Sequence, residues 1–284
     1  MKRGNINLKY IMKAVILILL FSTTFVACQP SKSTDTNQRN TPVNNPQANE
    51  PFSYINPKGT TVQTRFKLPE GFSRTLCDSN SFGHYLRELP LKEHGSVVHL
   101  FDGTVKVNNS TYLAVIDLPI RGNKDHQCAD AVMRLRAEYL FSKQLYSKIE
   151  FLFVSGKTSK YLNYLNGKTP NENNLWKYMC HTFAFANTYS LDKQLKSKGM
   201  NDLDIGDIFI IGGFPGHAII VVDKCINQEG KVKFMLAQSY MPAQEIQILD
   251  NPANPGCPWY DLDFGQTLVT PDWDFTASQL KSFE

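Results

Sequence analysis

Apolar and polar positions change their period along this chain, and the changes mark its elements. Residues 95–107 (GSVVHLFDGTVKV) give two β-rich runs joined at Asp102-Gly103, a hairpin signal, and Tyr112 to Asp117 gives another strand. From Cys128 to Leu145 the period becomes helical, with Cys128, Val132, Leu135 and Tyr139 on one face. Asp125 is the expected N-cap, placing Cys128 in the first turn. Asp130, Arg134 and Glu138 stand four apart and read as ion pairs on a solvated face of that helix. A short strand follows at Ile149 to Val154, closed by Ser155-Gly156. A second helix is expected from Leu175 to Lys198, capped by Asn173 or Asn174 and ended by Gly199. Four β-rich runs come next, at 205–211, 217–223, 232–237 and 244–249, with Gly- and Pro-containing turns between the first pair. Helices followed by a run of antiparallel strands predict an α+β fold, with the Cys128 helix packed on the sheet.

The N-terminal pattern differs. Residues 1–13 are basic and polar, and Ala14 to Phe21 is a short apolar core, too short to span a bilayer. Phe25-Val26-Ala27-Cys28 resembles the lipobox of bacterial lipoproteins, in which the cysteine is acylated. That resemblance predicts a signal peptide over 1–28, lipidation at Cys28 and a membrane partner through the anchor. Residues 29–50 are rich in Pro, Asn, Gln, Ser and Thr, and bury too little to offset ordering. They read as a tether with a mean reach of about 25 Å. Residues 51–284 then form one expected domain, held in the cell envelope at the periplasmic face or the outer-membrane surface.

Charge narrows the function. The formal surplus of +4 equals the contribution of Lys2, Arg3, Lys9 and Lys13, so the chain beyond the signal is neutral. A nucleic-acid binder needs a basic surplus, so that class is disfavoured. Beyond Cys28 five cysteines remain, with no framework spacing, no CxxC and no HExxH, which supports neither a disulfide lattice nor a metal site. No cofactor is implied, and the oligomeric state is open.

Cys128 at a helix start is the candidate nucleophile, because a helix N-terminus lowers a thiol pKa. His217, which opens an apolar strand after Gly216, is the candidate acid and base. Gln238 on the following strand is the candidate orienter of its ring, and Gln127 with the Cys128 N–H a candidate oxyanion hole. Cys180-His181 is a rival pair, but neighbours within a helix point apart. Trp259, Tyr260, Trp273 and Phe275 read as anchors of the C-terminal segment on the core.

The order Cys128, His217, Gln238, with Gly206-Asp207 opening the strand before Gly216-His217, resembles NlpC-type and other papain-like cysteine peptidases and amidases. The resemblance implies a Cys-bearing helix on an antiparallel sheet and thiol attack on an amide, with peptidoglycan peptides as the accessible substrate. It departs from that pattern at Gln127-Cys128-Ala129-Asp130, in the long gap between Cys128 and His217, and in a Gln where Asn is usual. A second resemblance spans nearly the whole mature chain. HQCADAVMRLRAEYL (126–140), GDIFIIGGFPGHAIIVVD (206–223) and LAQSYMPAQEIQIL (236–249) resemble an uncharacterised family of Bacteroidales lipoproteins, domain of unknown function 4846. That family implies a lipoprotein and no reaction. The alternative function is an inactive envelope domain that binds glycan, peptide or a protein.

Overall fold

The computed structural model describes residues 53–284. The expected signal peptide over 1–28, the expected lipidation site Cys28 and the expected tether over 29–50 lie outside the described residues. The chain runs α1 (Val62–Arg65), β1 (Phe72–Arg74), α2 (Phe82–Arg87), β2 (Tyr112–Val115), α3 (Cys128–Ser142), β3 (Glu150–Leu152) and β4 (Thr158–Lys160). It continues through α4 (Tyr161–Leu165), α5 (Glu172–Phe185), α6 (Thr188–Gln194), β5 (Lys196–Ser197), β6 (Ile208–Ile211), β7 (His217–Asn227) and β8 (Val232–Gln238). β9 (Gln247–Leu249), β10 (Tyr260–Asp261), β11 (Leu268–Val269), β12 (Asp274–Phe275) and β13 (Leu280–Ser282) complete it. This is a mixed α+β architecture around an antiparallel sheet.

The sheet has the order β2-β9-β8-β7-β6-β13-β5. β7 is its spine. It pairs with β6 through Ile211↔His217, with β8 through Ile220↔Ala237, and with β1 through Arg74↔Cys225 near its far end. Its sequence, HAIIVVDKCIN, is buried on both faces, so it is apolar almost throughout rather than alternating. The period of two then sorts side chains between two cores. Ile208, Ile210, Ala218, Ile220, Val222, Met235 and Ala237 face the helical layer, where α3 packs on β7 and β8 through residues such as Ala129, Val132 and Leu135 and α6 packs on β6. Phe209, Ile219, Val221, Phe234 and Leu236 face the C-terminal segment, where Tyr260, Leu268 and Phe275 cover them. His217 and Gln238 belong to this second face, whereas Cys128 belongs to the helix layer. The first residues of β7 are therefore where the two layers meet.

Asp223 is fully buried, accepting from Arg74 Nε at 2.7 Å and Arg87 Nε at 2.6 Å. This pairing of one carboxylate with two guanidiniums ties β1 and α2 to β7.

The structure revises several expected elements. Gln127, not Asp125, is the N-cap of α3; its N–H donates to Asp130 Oδ2 at 3.0 Å. Cys128 is consequently the first helical residue. The long second helix is two helices. α5 starts earlier, capped by Asn171, and ends at Ala186, after which Asn187 Oδ1 accepts from Ser190 N and caps α6. The Asp102-Gly103 hairpin is short, with a single bridge, His99↔Val105; Gly103 takes φ 86 and Asp102 Oδ1 accepts from Thr104 N. Asp130 and Arg134 are not on a solvated face, since both are buried. Arg134 donates to Glu138 Oε1 at 2.7 Å and lies over the Trp176 ring.

Candidate functional site

β6 ends at Ile211, and the turn Gly212 to Gly216 returns the chain into β7 with His217 as its first residue. Gly216 sits where no side chain fits, so the turn closes tightly against α6. Beside it lies the start of α3. A groove at this junction is lined by Gln127, Cys128, Asp130, His217, Tyr240 and Trp273, among others. Phe214, 92% exposed, and Met241 form an apolar rim.

The His217 ring is held from three sides. Its plane lies near parallel to Trp273, with centroids 5.5 Å apart, and Tyr240 meets it edge-on at 5.2 Å. The Trp273 Nε1–H donates to Tyr240 Oη at 3.1 Å, linking the two rings that confine it. His217 Nε2 lies 2.8 Å from Gln238 Oε1. Gln238 Nε2 in turn donates to Asp272 Oδ2 at 2.6 Å. The structure thus brings Cys128, His217, Gln127 and Gln238 together, and adds Asp272, Tyr240 and Trp273. Cys128 and His217 share the groove wall without a direct hydrogen bond between their side chains. Such contacts often tighten only when substrate binds.

Electrostatics overturn one expectation. A helix-start thiol was expected to be acidic, and the Ala218, Ala129 and Cys128 backbone N–H groups do favour the thiolate. Burial dominates, aided by the Asp130 carboxyl, and the thiol pKa is pushed up to about 11. Burial raises Asp130 as well, well above the usual carboxylate range. The His217 pKa is pulled down to about 4 by burial, which outweighs the help from Gln238 and Asp272, while Lys106 lowers it further. At neutral pH the site therefore holds a neutral thiol and a neutral imidazole rather than an ion pair.

That state predicts a pH profile. The imidazole accepts a proton from the thiol only while unprotonated, so activity is lost as pH falls through its pKa. The acid limb of kcat/KM for a peptide substrate is expected near 4, not near the ordinary ~6.5 of histidine. A limb centred between 6 and 7 would contradict the desolvated site.

The rival pair does not converge. Cys180 Sγ accepts from Asn123 Nδ2 at 3.2 Å, while His181 packs edge-on or tilted among Phe153, Tyr164 and Phe185. His126 is fully buried, edge-on to Phe183, with its pKa pulled down to about 3 by burial. Among the described residues no group of three or more His, Cys, Asp or Glu is placed to hold a metal ion. No described helix is long and apolar enough to cross a membrane. Trp259, Tyr260 and Phe275 are buried anchors, whereas Trp273 is part of the site. A Trp flanked by two Asp in a segment rich in turns was the available signal for it.

A family model described as "Domain of unknown function (4846)" matches residues 62–282. The chain belongs to that family. The match takes in every residue of the groove, from Gln127 to Trp273, together with the sheet that holds them. No curated protein and no solved structure matches the chain.

Proposed function

We propose that this member of the family is a papain-like thiol peptidase or amidase, carried as a lipoprotein of the cell envelope. The observation that supports it is that Cys128 and His217 line one groove, with Gln238 Oε1 2.8 Å from the ring behind it. In this reading His217 takes the proton from Cys128 as sulfur attacks the amide carbonyl. The tetrahedral oxygen receives the Cys128 N–H and the Gln127 side chain. His217 then gives its proton to the leaving nitrogen, the C–N bond breaks, and water releases the acyl group from sulfur. The groove lining carries no Lys or Arg, and its rim is apolar. It suits an amide between small or apolar residues, and short peptidoglycan peptides are the accessible source in the envelope.

One observation favours the alternative, an envelope domain that only binds. The Cys128 thiol is held un-ionised by burial. The two readings separate with a peptide carrying an electrophilic warhead, applied at neutral pH and mapped by mass spectrometry. The hydrolase reading expects adduct on Cys128 in preference to Cys77, Cys180, Cys225 and Cys257, and its loss in His217→Ala. Adduct spread by exposure alone, unchanged in His217→Ala, favours the binding domain.

A further inference from the structure

Behind the imidazole, polar side chains lead away from the groove in a line. Gln238 lies between His217 and Asp272. Lys106 Nζ stands 3.9 Å from the same Asp272 Oδ2, and donates to Thr111 Oγ1 at 2.8 Å and Gln247 Oε1 at 3.4 Å. Lys106 and Gln238 are buried, and Asp272 is nearly so. Gln247 is the cross-strand partner of Gln238, so the line is fixed to the β8–β9 pair.

The chemistry of these groups gives the line a direction. An ammonium only donates, and an ionised carboxylate only accepts. A primary amide does both, and a half-turn about its last bond exchanges oxygen for nitrogen with almost no change of shape. Gln238 alone therefore accommodates either tautomer of His217. Asp272 removes that freedom. Its carboxylate requires the NH2 group, so the amide oxygen must face the ring. An oxygen facing Nε2 requires a hydrogen there, which leaves Nδ1 with a lone pair.

We propose that Asp272, with Lys106 as its counter-charge, is a positioning residue that fixes the amide of Gln238 and through it the Nε2–H tautomer of His217. The ring then presents an unprotonated Nδ1, the form that accepts a proton from a thiol. The inference rests on the thiol-hydrolase reading only for its effect on turnover, because the tautomer is readable without substrate.

The experiment is nitrogen NMR of the whole chain labelled with 15N at its six histidines, with His217 assigned by its loss in His217→Gln. Wild type is expected to show Nε2 protonated and Nδ1 bare. Asp272→Asn frees the amide, because Asn both donates and accepts, so the Nε2–H pattern should give way to Nδ1–H or to a mixture. Asp272→Asn combined with Gln238→Glu should restore Nε2–H, since a Glu carboxylate accepts whichever way it turns. Turnover, where measured, should fall about 10²-fold in kcat in the single variant and recover in the double, with KM little changed. A folded Asp272→Asn that keeps the wild-type pattern overturns the proposal, as does a double variant that fails to restore it. Should Asp272→Asn not fold, the wild-type spectrum alone still decides: Nδ1–H there overturns the relay. A wild type with the expected tautomer and no hydrolysis of any peptide leaves the relay standing and removes the hydrolase reading.

Discussion

Cys128→Ala is expected to bring peptide hydrolysis down to background, a loss of about 10³-fold or more. The substitution removes one sulfur from a half-buried position and leaves a residue that suits a first helical turn. Gln127 keeps its cap through Asp130, and His217 keeps Gln238, Trp273 and Tyr240, so ring and groove persist. No other described cysteine lines the groove to replace the nucleophile. His217→Ala should be nearly as severe, because acid–base help contributes ~10²–10⁴-fold and a thiol at about 11 is hardly ionised without it. Chromatography with mass detection of peptide and muropeptide fragments measures both. Binding of uncleaved peptide should survive in Cys128→Ala, since the apolar rim at Phe214 and Met241 is untouched. Equal turnover by wild type and Cys128→Ala would end the hydrolase reading.

What sequence reveals here follows how local each cause is. The strands at 206–223 are legible because burial on both faces makes them apolar, and because Gly212 to Gly216 punctuates them. The start of α3 is legible within two residues, the error lying in which side chain caps it: Asp130 reaches back to the Gln127 N–H, an interaction that Asp125 disguises in sequence. The break between α5 and α6 is not legible, because neither Gly nor Pro marks it. An Asn187 side chain turns a continuous helical pattern into a second start. The thiol pKa is not legible in sequence for a different reason. A helix end is a local property, whereas burial and the nearby Asp130 carboxyl are consequences of packing, and packing wins. Nothing local in the sequence ties Asp272 to Gln238. It reaches Gln238 only because the C-terminal segment folds over the second face of the sheet, carrying Trp273 onto the His217 ring at the same time.

Gly216→Ala should cost stability and activity together. Residue 216 precedes His217, and an added Cβ would lie 2.4 Å from Thr188 Oγ1 and 2.6 Å from the carbonyl oxygens of both Gly213 and Ile211. Two of these atoms belong to backbone on the β6–β7 turn, so they cannot swing away as a flexible side chain would. Thr188 is itself held, donating to Gly213 O at 3.2 Å within the first turn of α6. The methyl can be admitted only by opening the turn, which shifts β7 against β6 at Ile211↔His217. Overpacking of this kind costs about 3 kcal/mol, or roughly 10 °C in melting temperature for a domain of this size. The shift also draws His217 from Gln238 Oε1, so hydrolysis should fall further than the lost folded fraction explains. Gly199→Ala is the control. Its added Cβ would meet only Asp202 Oδ2, at an ordinary 3.5 Å, and it should stay within about 0.5 kcal/mol of wild type. Melting curves and peptide turnover on the two variants carry the test. A Gly216→Ala protein that melts with Gly199→Ala and keeps full turnover would show that the tight turn does not place the histidine.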